Sequence, residues 1–583
     1  MPTVSLKHTL LEDIQKFNGH SYDRATWLSD LSQIGVVVEG SDDTEIEIEV
    51  FPDRPDLLSH ETMARASRSF LQDMPSPCRV QVSRGAEKMT VKPEMKNVRP
   101  HAFAAIVRGV YTGSTEVQRD LFVQSLMDHQ EKLHTTLGRK RRSVSIGVHD
   151  ISDIDGPFTV SSDDGSYSFV PLNGEGRMSL KDILTNHPKG IEYAHLVDQG
   201  EGFPLITDKN GKVISFPPII NGVDTMVTTK STDFLIDVTG WDQRACISAL
   251  KLIALSMSER GGKIESVEVE QYDGTTWILD MEPVENYVPK SLISMLAGFE
   301  PSDDSVAKSI SRMGGKMIGV GRTGSSAGGT RWDGLSEDEP AYIIEMPSWR
   351  ADILHPVDVV EDVIIGMGLN SLPQKNSLVN LPGSASEGSS LERRVRQSIR
   401  AMGAHEVQTL TLTNMEMEFV TPRLIPAGEI TRIKNPITRE HDILRQYILP
   451  SLFQVLSSNR HHELPHRIFE LGTKVVDHIN SSSVAWACAE TNAGFSSAKG
   501  YGMSLLRDLG TNDDDLGLVE GAPGVGPWIP GRVADVSIKG VYVGTFGEID
   551  PAVSVSYGLR VPIHAGEFDM KALMSLLPDP LHN

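Results

Sequence analysis

Two distant stretches of this chain read as versions of one another. Near the N-terminus it runs FNGHSYDRATWLSDLSQIGVVVE and then IEIEVFPDRPDLLSHETMARASRSFL. Much later it runs LAGFEPSDDSVAKSISRMGGKM and then YIIEMPSWRADILHPVDVVEDVIIGMG. Gly19 aligns with Gly298 and Gly35 with Gly314 in unbroken register, and Arg54-Pro-Asp56-Leu-Leu aligns with Arg350-Ala-Asp352-Ile-Leu. Self-similarity of this kind means that one structural unit is used twice. Each copy reads as a small α+β module: helix, helix, strand, a tight Arg-x-Asp turn, then a final helix. The second copy carries an insert, GVGRTGSSAGGTRWDGLSEDEP, whose Gly and Ser content marks flexible surface.

The repeat divides the rest. A chain of 583 residues exceeds what one core supports. Residues 1–76 are the first copy and 276–375 the second. Between them, 77–275 mixes strand-like runs (HAFAAIVRGV, SVSIGVHD, DFLIDVTG) with helices such as GWDQRACISALKLIALSMSERGG, the pattern of an α+β domain. A Ser/Gly/Pro linker at 376–390 leads to a last α+β sheet domain, 391–583, which opens on the basic amphipathic helix LERRVRQSIRAMG.

The final helices of the two copies differ. Asp358, Glu361 and Asp362 crowd one side of the second, with Asp352 just ahead, whereas the first has Thr62, Arg65 and Ala66 where the helical acids stand. Like charges three and four residues apart on a helix cost a few tenths of a kcal/mol per pair, so the module's fold does not require them. Val359, Val360, Val363, Ile364 and Met367 make the buried stripe, and the acids occupy the opposite arc together with Ile365. An isoleucine among acids implies that something covers it.

Composition narrows the partners. A formal net charge of −23 makes the chain a poor general binder of phosphate backbones. Nucleic acid would meet local basic patches, of which GRKRRS at 138–143 is one; a solvated loop is the plainer reading. No apolar run is long enough to span a bilayer, and the N-terminus lacks the apolar core of a secretory signal. Three widely spaced cysteines, Cys78, Cys246 and Cys488, argue for a reduced cytoplasmic setting.

Taken in order, FPDRPDLLS, HPKGIEYAH, FPPIING, DVTGWDQ, ERGGKIESV, SWRADILHPVDVVEDV and NPITREHDILRQYILPSL resemble the β subunits of phenylalanyl-tRNA synthetases in their shorter archaeal and eukaryotic form. Phe51 departs from the family, which usually has Asn before the Pro-x-Arg-Pro-Asp turn. The resemblance implies an α₂β₂ ligase that charges tRNA(Phe) with phenylalanine using ATP and Mg²⁺, its synthetic site on the α chain. It implies a winged-helix-like second copy whose Asp352, Asp358, Glu361 and Asp362 hold a Mg²⁺ at the α interface. Mg²⁺ keeps several waters around one or two direct carboxylates. The alternative is an acidic first helical turn, with Pro356 at N1 and the acids complementing the helix dipole.

The 77–275 domain resembles the family's editing domain, which hydrolyses mischarged tyrosyl-tRNA(Phe). An apolar pocket rejects a substrate with one added hydroxyl by only about a hundredfold, and a second pocket can prize that hydroxyl with a polar partner. The candidates are Ser215, Asn221, Asp237 and Thr239, with Asp237 or Asn221 bonding the tyrosine hydroxyl. Asp and Asn at strand ends also serve as turn and cap residues. His149 and Asp150, adjacent on a strand, face opposite ways and are set aside as a pair. The last domain is similar to a class II synthetase antiparallel sheet that has lost its catalytic groups, its Arg467 and Glu470 reading as structural or interfacial. Two alternatives stand beside editing: an assembly and tRNA-positioning subunit with an inactive pocket, and a stand-alone class II enzyme, which the missing ATP-binding arginines disfavour.

Overall fold

The computed structural model describes residues 2–197, 202–323, 338–373 and 383–577. The chain divides into two compact units, 1–376 and 377–583. Most of the second copy's insert and the start of the linker lie outside the described residues.

The two copies share one topology within the first unit. In the first, Thr3–Lys7, Glu45–Val50 and Val36–Ser41 form an antiparallel sheet with Glu45–Val50 in the middle. In the second, Val284–Pro289, Pro340–Met346 and Lys316–Arg322 do the same with Pro340–Met346 in the middle. Helices His8–Phe17, Arg24–Asp30 and His60–Leu71 correspond to Lys290–Ala297, Asp303–Arg312 and Pro356–Met367. Each copy thus has two strands more than its sequence suggests, because both are short runs with few alternations to read. The strand Lys316–Arg322 also occupies the beginning of the stretch read as flexible insert.

The aligned glycines have a physical reason. Gly19, Gly35, Gly298 and Gly314 all take positive φ, at 77°, 99°, 76° and 85°. An L side chain in that region costs about 1–2 kcal/mol, so the repeat preserves the positions where the chain must turn left-handed.

Between the copies lies a mixed sheet. Its order runs Ile220–Asn221, Val213–Phe216, Phe203–Thr207, Phe158–Asp163, Val82–Val91, Lys263–Glu270, His101–Arg108, Phe234–Gly240, Val144–Asp150, and Thr276–Trp277 pairs with Lys263–Glu270 off this path. Val82–Val91 pairs in parallel with both neighbours and the other pairings are antiparallel. Gln243–Ser258 packs on this sheet through an almost wholly buried apolar run. The core is continuous across the expected boundaries at 76/77 and 275/276: one cluster holds Leu57 and Phe70, then Phe103 and Leu250, then Met313 and Trp349.

The second unit is a seven-stranded sheet in the order His405–Glu406, His466–Val476, Ile479–Ala489, Ile563–Asp569, Val541–Ile549, Trp528–Ile538, Leu516–Glu520. It is antiparallel apart from the first pairing. Its leading helix, Glu387–Ala401, starts inside the expected 376–390 linker, where Ser386 caps it by accepting from the Ser389 N–H. The helix buries Leu391, Val395 and Ile399, one stripe at four-residue spacing. Among the described residues no helix is long and apolar enough to cross a membrane, and all three cysteines are free and buried.

Candidate functional site

The acids come first. Arg350 donates to Asp352 at 2.6 Å and to both oxygens of Asp362 at 2.8 and 2.9 Å. Asp362 is 2% exposed, so it does not sit on a solvated arc as a single-helix wheel places it. The reason is a second contact. Ile365, on the same side, packs into the cluster that holds Leu31 and Ile34 of the first copy. The acidic arc is therefore partly a joint between the copies, and what covers Ile365 belongs to this same chain.

In that joint the two Arg-x-Asp turns lie side by side. Arg54 binds Asp56 through two bonds of 2.8 and 2.9 Å. Arg350 lies close enough for its charge to act on both Arg54 and Asp56. Burial pushes the Asp362 carboxyl above its usual range against the pull of the Arg350 guanidinium. Asp358 is used differently. Its Oδ2 accepts from the Leu354 and His355 N–H groups, both at 2.8 Å, and caps the helix that Pro356 begins.

Glu361 is the outward member. Burial raises its carboxyl above the usual range, and Asp362, Asp53, Asp358 and Asp352 raise it further. Asp53 is an addition that sequence reasoning missed, although it directly precedes the Arg54 turn and the repeat could have pointed to it. Among the described residues no three acidic, histidine or cysteine side chains converge tightly enough to cage an ion. The donors are hard carboxylate oxygens, and Glu361 bonds to nothing else among the described residues. Such a set fits a hydrated divalent ion and not an all-protein cage.

The editing candidates lie around a cavity of about 410 Å³ that Ser215, Asn221 and Asp237 all line. Ser215 and Asn221 are direct partners across a short antiparallel hairpin. Asp237 sits near the opposite end of the sheet order, so the sheet curls until its two ends face one cavity. The Ser215 hydroxyl is buried without a hydrogen-bond partner among the described residues. A buried hydroxyl without a partner is costly, and a ligand atom would relieve it. Apolar walls come from Ile146, Phe216, Pro218 and Ile219.

Thr239 is elsewhere. Its hydroxyl accepts from Arg99 Nε at 2.9 Å, and its carbonyl accepts from the same guanidinium. Burial pulls Arg99 down to about 10, opposed by nearby Cys246 and Asp237. Thr239 therefore holds a buried arginine one step further along the strand and does not line the cavity.

His149, set aside as a partner of Asp150, pairs with Asp237 instead. Its Nε2 shares a 2.6 Å hydrogen bond with Asp237 Oδ2, and its Nδ1 lies 2.9 Å from the Thr225 hydroxyl. Leu235 is directly opposite His149 across the strands, so His149 and Asp237 are diagonal neighbours on one face. Gly147, opposite Asp237, makes room: a Cβ there would overlap both Asp237 Oδ2 and His149 Nε2. Only the strand pairing reveals this constellation. Arg141 closes the cavity's edge, donating to the Pro218 and Ile219 carbonyls at 3.3 and 3.1 Å.

In the second unit, Glu470 is 2% exposed and bound by Arg445 at 2.7 Å and by the Thr409 hydroxyl. Arg467 pairs with Glu490 at 2.7 Å.

Comparison with known proteins places these features. Family models match residues 98–278 (B3/4 domain), 287–369 (tRNA synthetase B5 domain) and 372–570 (phenylalanyl tRNA synthetase beta chain CLM domain). These modules define a component of an aminoacyl-tRNA synthetase, a ligase of protein biosynthesis. The phenylalanine–tRNA ligase beta subunit of Methanococcoides burtonii is 36% identical over 98% of this chain and 100% of its own length. That of Methanothrix thermoacetophila is also 36% identical, with the same coverage. That of Pyrococcus furiosus is 34% identical over 89% of this chain and 90% of its own. The crystal structure of an N-terminal fragment of the phenylalanyl-tRNA synthetase beta subunit from Pyrococcus horikoshii aligns at 28% identity and a TM-score of 0.55, over 63% of this chain and 99% of the fragment. The chain belongs to the phenylalanine–tRNA ligase beta subunit family.

Proposed function

We propose that this chain is the non-synthetic half of its ligase. An α partner carries the ATP-dependent charging of tRNA(Phe) in an α₂β₂ assembly of the cytoplasm, and this chain hydrolyses tyrosyl-tRNA(Phe) made in error. One observation carries the editing reading: an apolar-walled cavity that brings an unpartnered buried serine, an asparagine and a buried aspartate together. The apolar walls suit an aromatic ring, and Asp237, held on one oxygen by His149, has its other oxygen for a phenolic hydroxyl. A phenylalanyl group would leave these polar atoms unpaired, which disfavours it strongly. The second unit, with Glu470 and Arg467 engaged in internal ion pairs, suits a class II-like scaffold that docks a partner and does no chemistry of its own.

The same reading places a hydrated Mg²⁺ at the α interface, with Glu361 and Asp358 as its nearest supports and Asp352 and Asp362 behind them on Arg350. The ion would supply countercharge to the crowded carboxylates.

The test of editing is deacylation by the purified complex. Asp237→Ala should lower hydrolysis of tyrosyl-tRNA(Phe) by about ten- to a hundredfold, the scale of one hydrogen bond to a charged group at about 1.5–3 kcal/mol, while charging with phenylalanine persists. Equal loss of both activities would mean a folding defect, and unchanged hydrolysis would remove Asp237 from the site.

A further inference from the structure

The basic turn that the sequence leaves undecided lies between two cavities. Arg141 lines the 410 Å³ cavity. Its neighbours Arg139, Lys140 and Arg142 line a second cavity of about 690 Å³, together with His195 and Trp241. The arginines and the lysine are thus sorted by side: one is drawn inward to hold the 218–219 backbone, and three are exposed around a separate hollow.

The backbone that sorts them is under strain. Arg139, Lys140 and Arg141 all have positive φ, at 48°, 56° and 66°, a run that non-glycine residues rarely adopt. It is held by the Arg141 N–H on the His134 carbonyl, the Ser143 N–H on the Gly138 carbonyl, and Arg99 on the Arg141 carbonyl. On one side of the turn, the His134 ring and then Arg141 hold the Glu131 carboxyl down at about 2. On the other side, Trp241 is 49% exposed, an uncommon state for a large indole, with its backbone N–H fixed on the Ser143 carbonyl at 3.0 Å. The adjacent Asp242 accepts from the Ala245 N–H and caps the following helix.

We propose that the Arg139, Lys140, Arg142 and Trp241 cavity binds the 3′ single-stranded end of tRNA and leads its terminal nucleotide into the neighbouring cavity. The inference rests on the editing reading for its direction, and its chemistry is that of a single-strand binder: cations for the backbone and an aromatic face for a base. In a chain of net charge −23, three exposed cations line one hollow, and clustered cations are what a polyanion needs. The volume lies within the 300–1,000 Å³ range of ordinary ligand pockets, and Arg141 ties the turn directly to the wall of the hydrolytic cavity.

The experiment compares two substrates in the full complex: tyrosyl-tRNA(Phe) and 3′-O-tyrosyl-adenosine, which lacks the backbone. The variant Arg139→Ala/Lys140→Ala/Arg142→Ala should raise KM for the tRNA about tenfold or more and leave kcat unchanged. It should reduce the slope of log KM against log salt by about 2, at about 0.7 per single-strand phosphate contact. Hydrolysis of tyrosyl-adenosine and phenylalanine charging should stay at wild-type values, which also shows that the variant folds. Trp241→Ala should raise KM for the tRNA about tenfold without changing the salt slope. An unchanged KM and slope in the triple variant would overturn the proposal. So would a cavity that binds ATP or inorganic phosphate in a triple-sensitive way while tRNA binding is indifferent. If the wild-type complex hydrolyses neither substrate, the editing reading falls, and filter binding of uncharged tRNA(Phe) decides this one: about tenfold weaker in the triple variant supports it, unchanged affinity refutes it.

Discussion

The first and second repeat copies share a strand order, a helix order, four left-handed glycines and an Arg-x-Asp turn, yet they use their final helices differently. In the first copy the helix grips the middle domain: Glu61 takes Arg260 at 2.6 Å, and Arg65 and Arg68 both reach Glu259. In the second copy the helix packs Ile365 and the buried Asp362 into the joint with the first copy and leaves only Glu361 outward, and the copy's turn arginine holds two carboxylates where the first holds one. A duplicated scaffold thus serves attachment to the middle domain in one copy and a charged joint between the copies in the other.

The largest effect that could break this comparison comes from the arginines. Arg350→Ala leaves Asp352 and the buried Asp362 uncompensated and should destabilise the first unit by about 3–5 kcal/mol, the range for breaking a buried pair. Arg54→Ala strands Asp56 alone and should fall at or below the bottom of that range. Denaturant midpoints at unchanged m-value report both. If Arg54→Ala were the costlier change, the second turn would not be the one carrying the extra charge.

A smaller effect tests whether the scaffold is shared. Gly35→Ala and Gly314→Ala meet no atom within 4 Å, so each should lose only the left-handed penalty of about 1–2 kcal/mol. Losses that differ by more than the penalty itself would argue that the two turns are not equivalent.

The smallest effect sharpens the role of Glu361. Its folded-state carboxyl is raised by burial and by four neighbouring acids. Its contribution to stability is therefore present below the ordinary carboxyl range and is lost as pH rises through the raised folded value. Glu361→Gln removes that loss and should raise the neutral-pH melting temperature slightly, with a flatter profile through the acid range. Millimolar MgCl₂ should raise the melting temperature of wild-type protein more than that of Glu361→Gln. An equal response to the salt in both would put the ion elsewhere.

Much of this was legible in the sequence, and the rest was hidden for definite reasons. The repeat glycines and Arg-x-Asp turns were readable because each serves a local backbone requirement that both copies keep. Ser215 and Asn221 stand in one short motif of the sequence, and the structure pairs them across a hairpin at the cavity. Asp362 was not, because a helical wheel knows one packing partner and this helix has two. Thr239 comes with Asp237 from one motif, but the Arg99 guanidinium, near both, hydrogen-bonds Thr239 alone of the two. His149 joins Asp237 through a diagonal across two strands that are far apart in the chain. No spacing rule encodes that pairing.

The proposed editing role rests most heavily on the polar floor of the 410 Å³ cavity. The direct measurement is accumulation of tyrosyl-tRNA(Phe) by the complex supplied with tyrosine and ATP, comparing wild type with Gly147→Ala, whose added methyl intrudes on the Asp237–His149 pair. The expected result is ATP consumption with little tyrosyl-tRNA(Phe) in the wild type, and accumulation of that product in the variant while phenylalanine charging is unaffected. Equal accumulation in both proteins would contradict an editing role for that cavity.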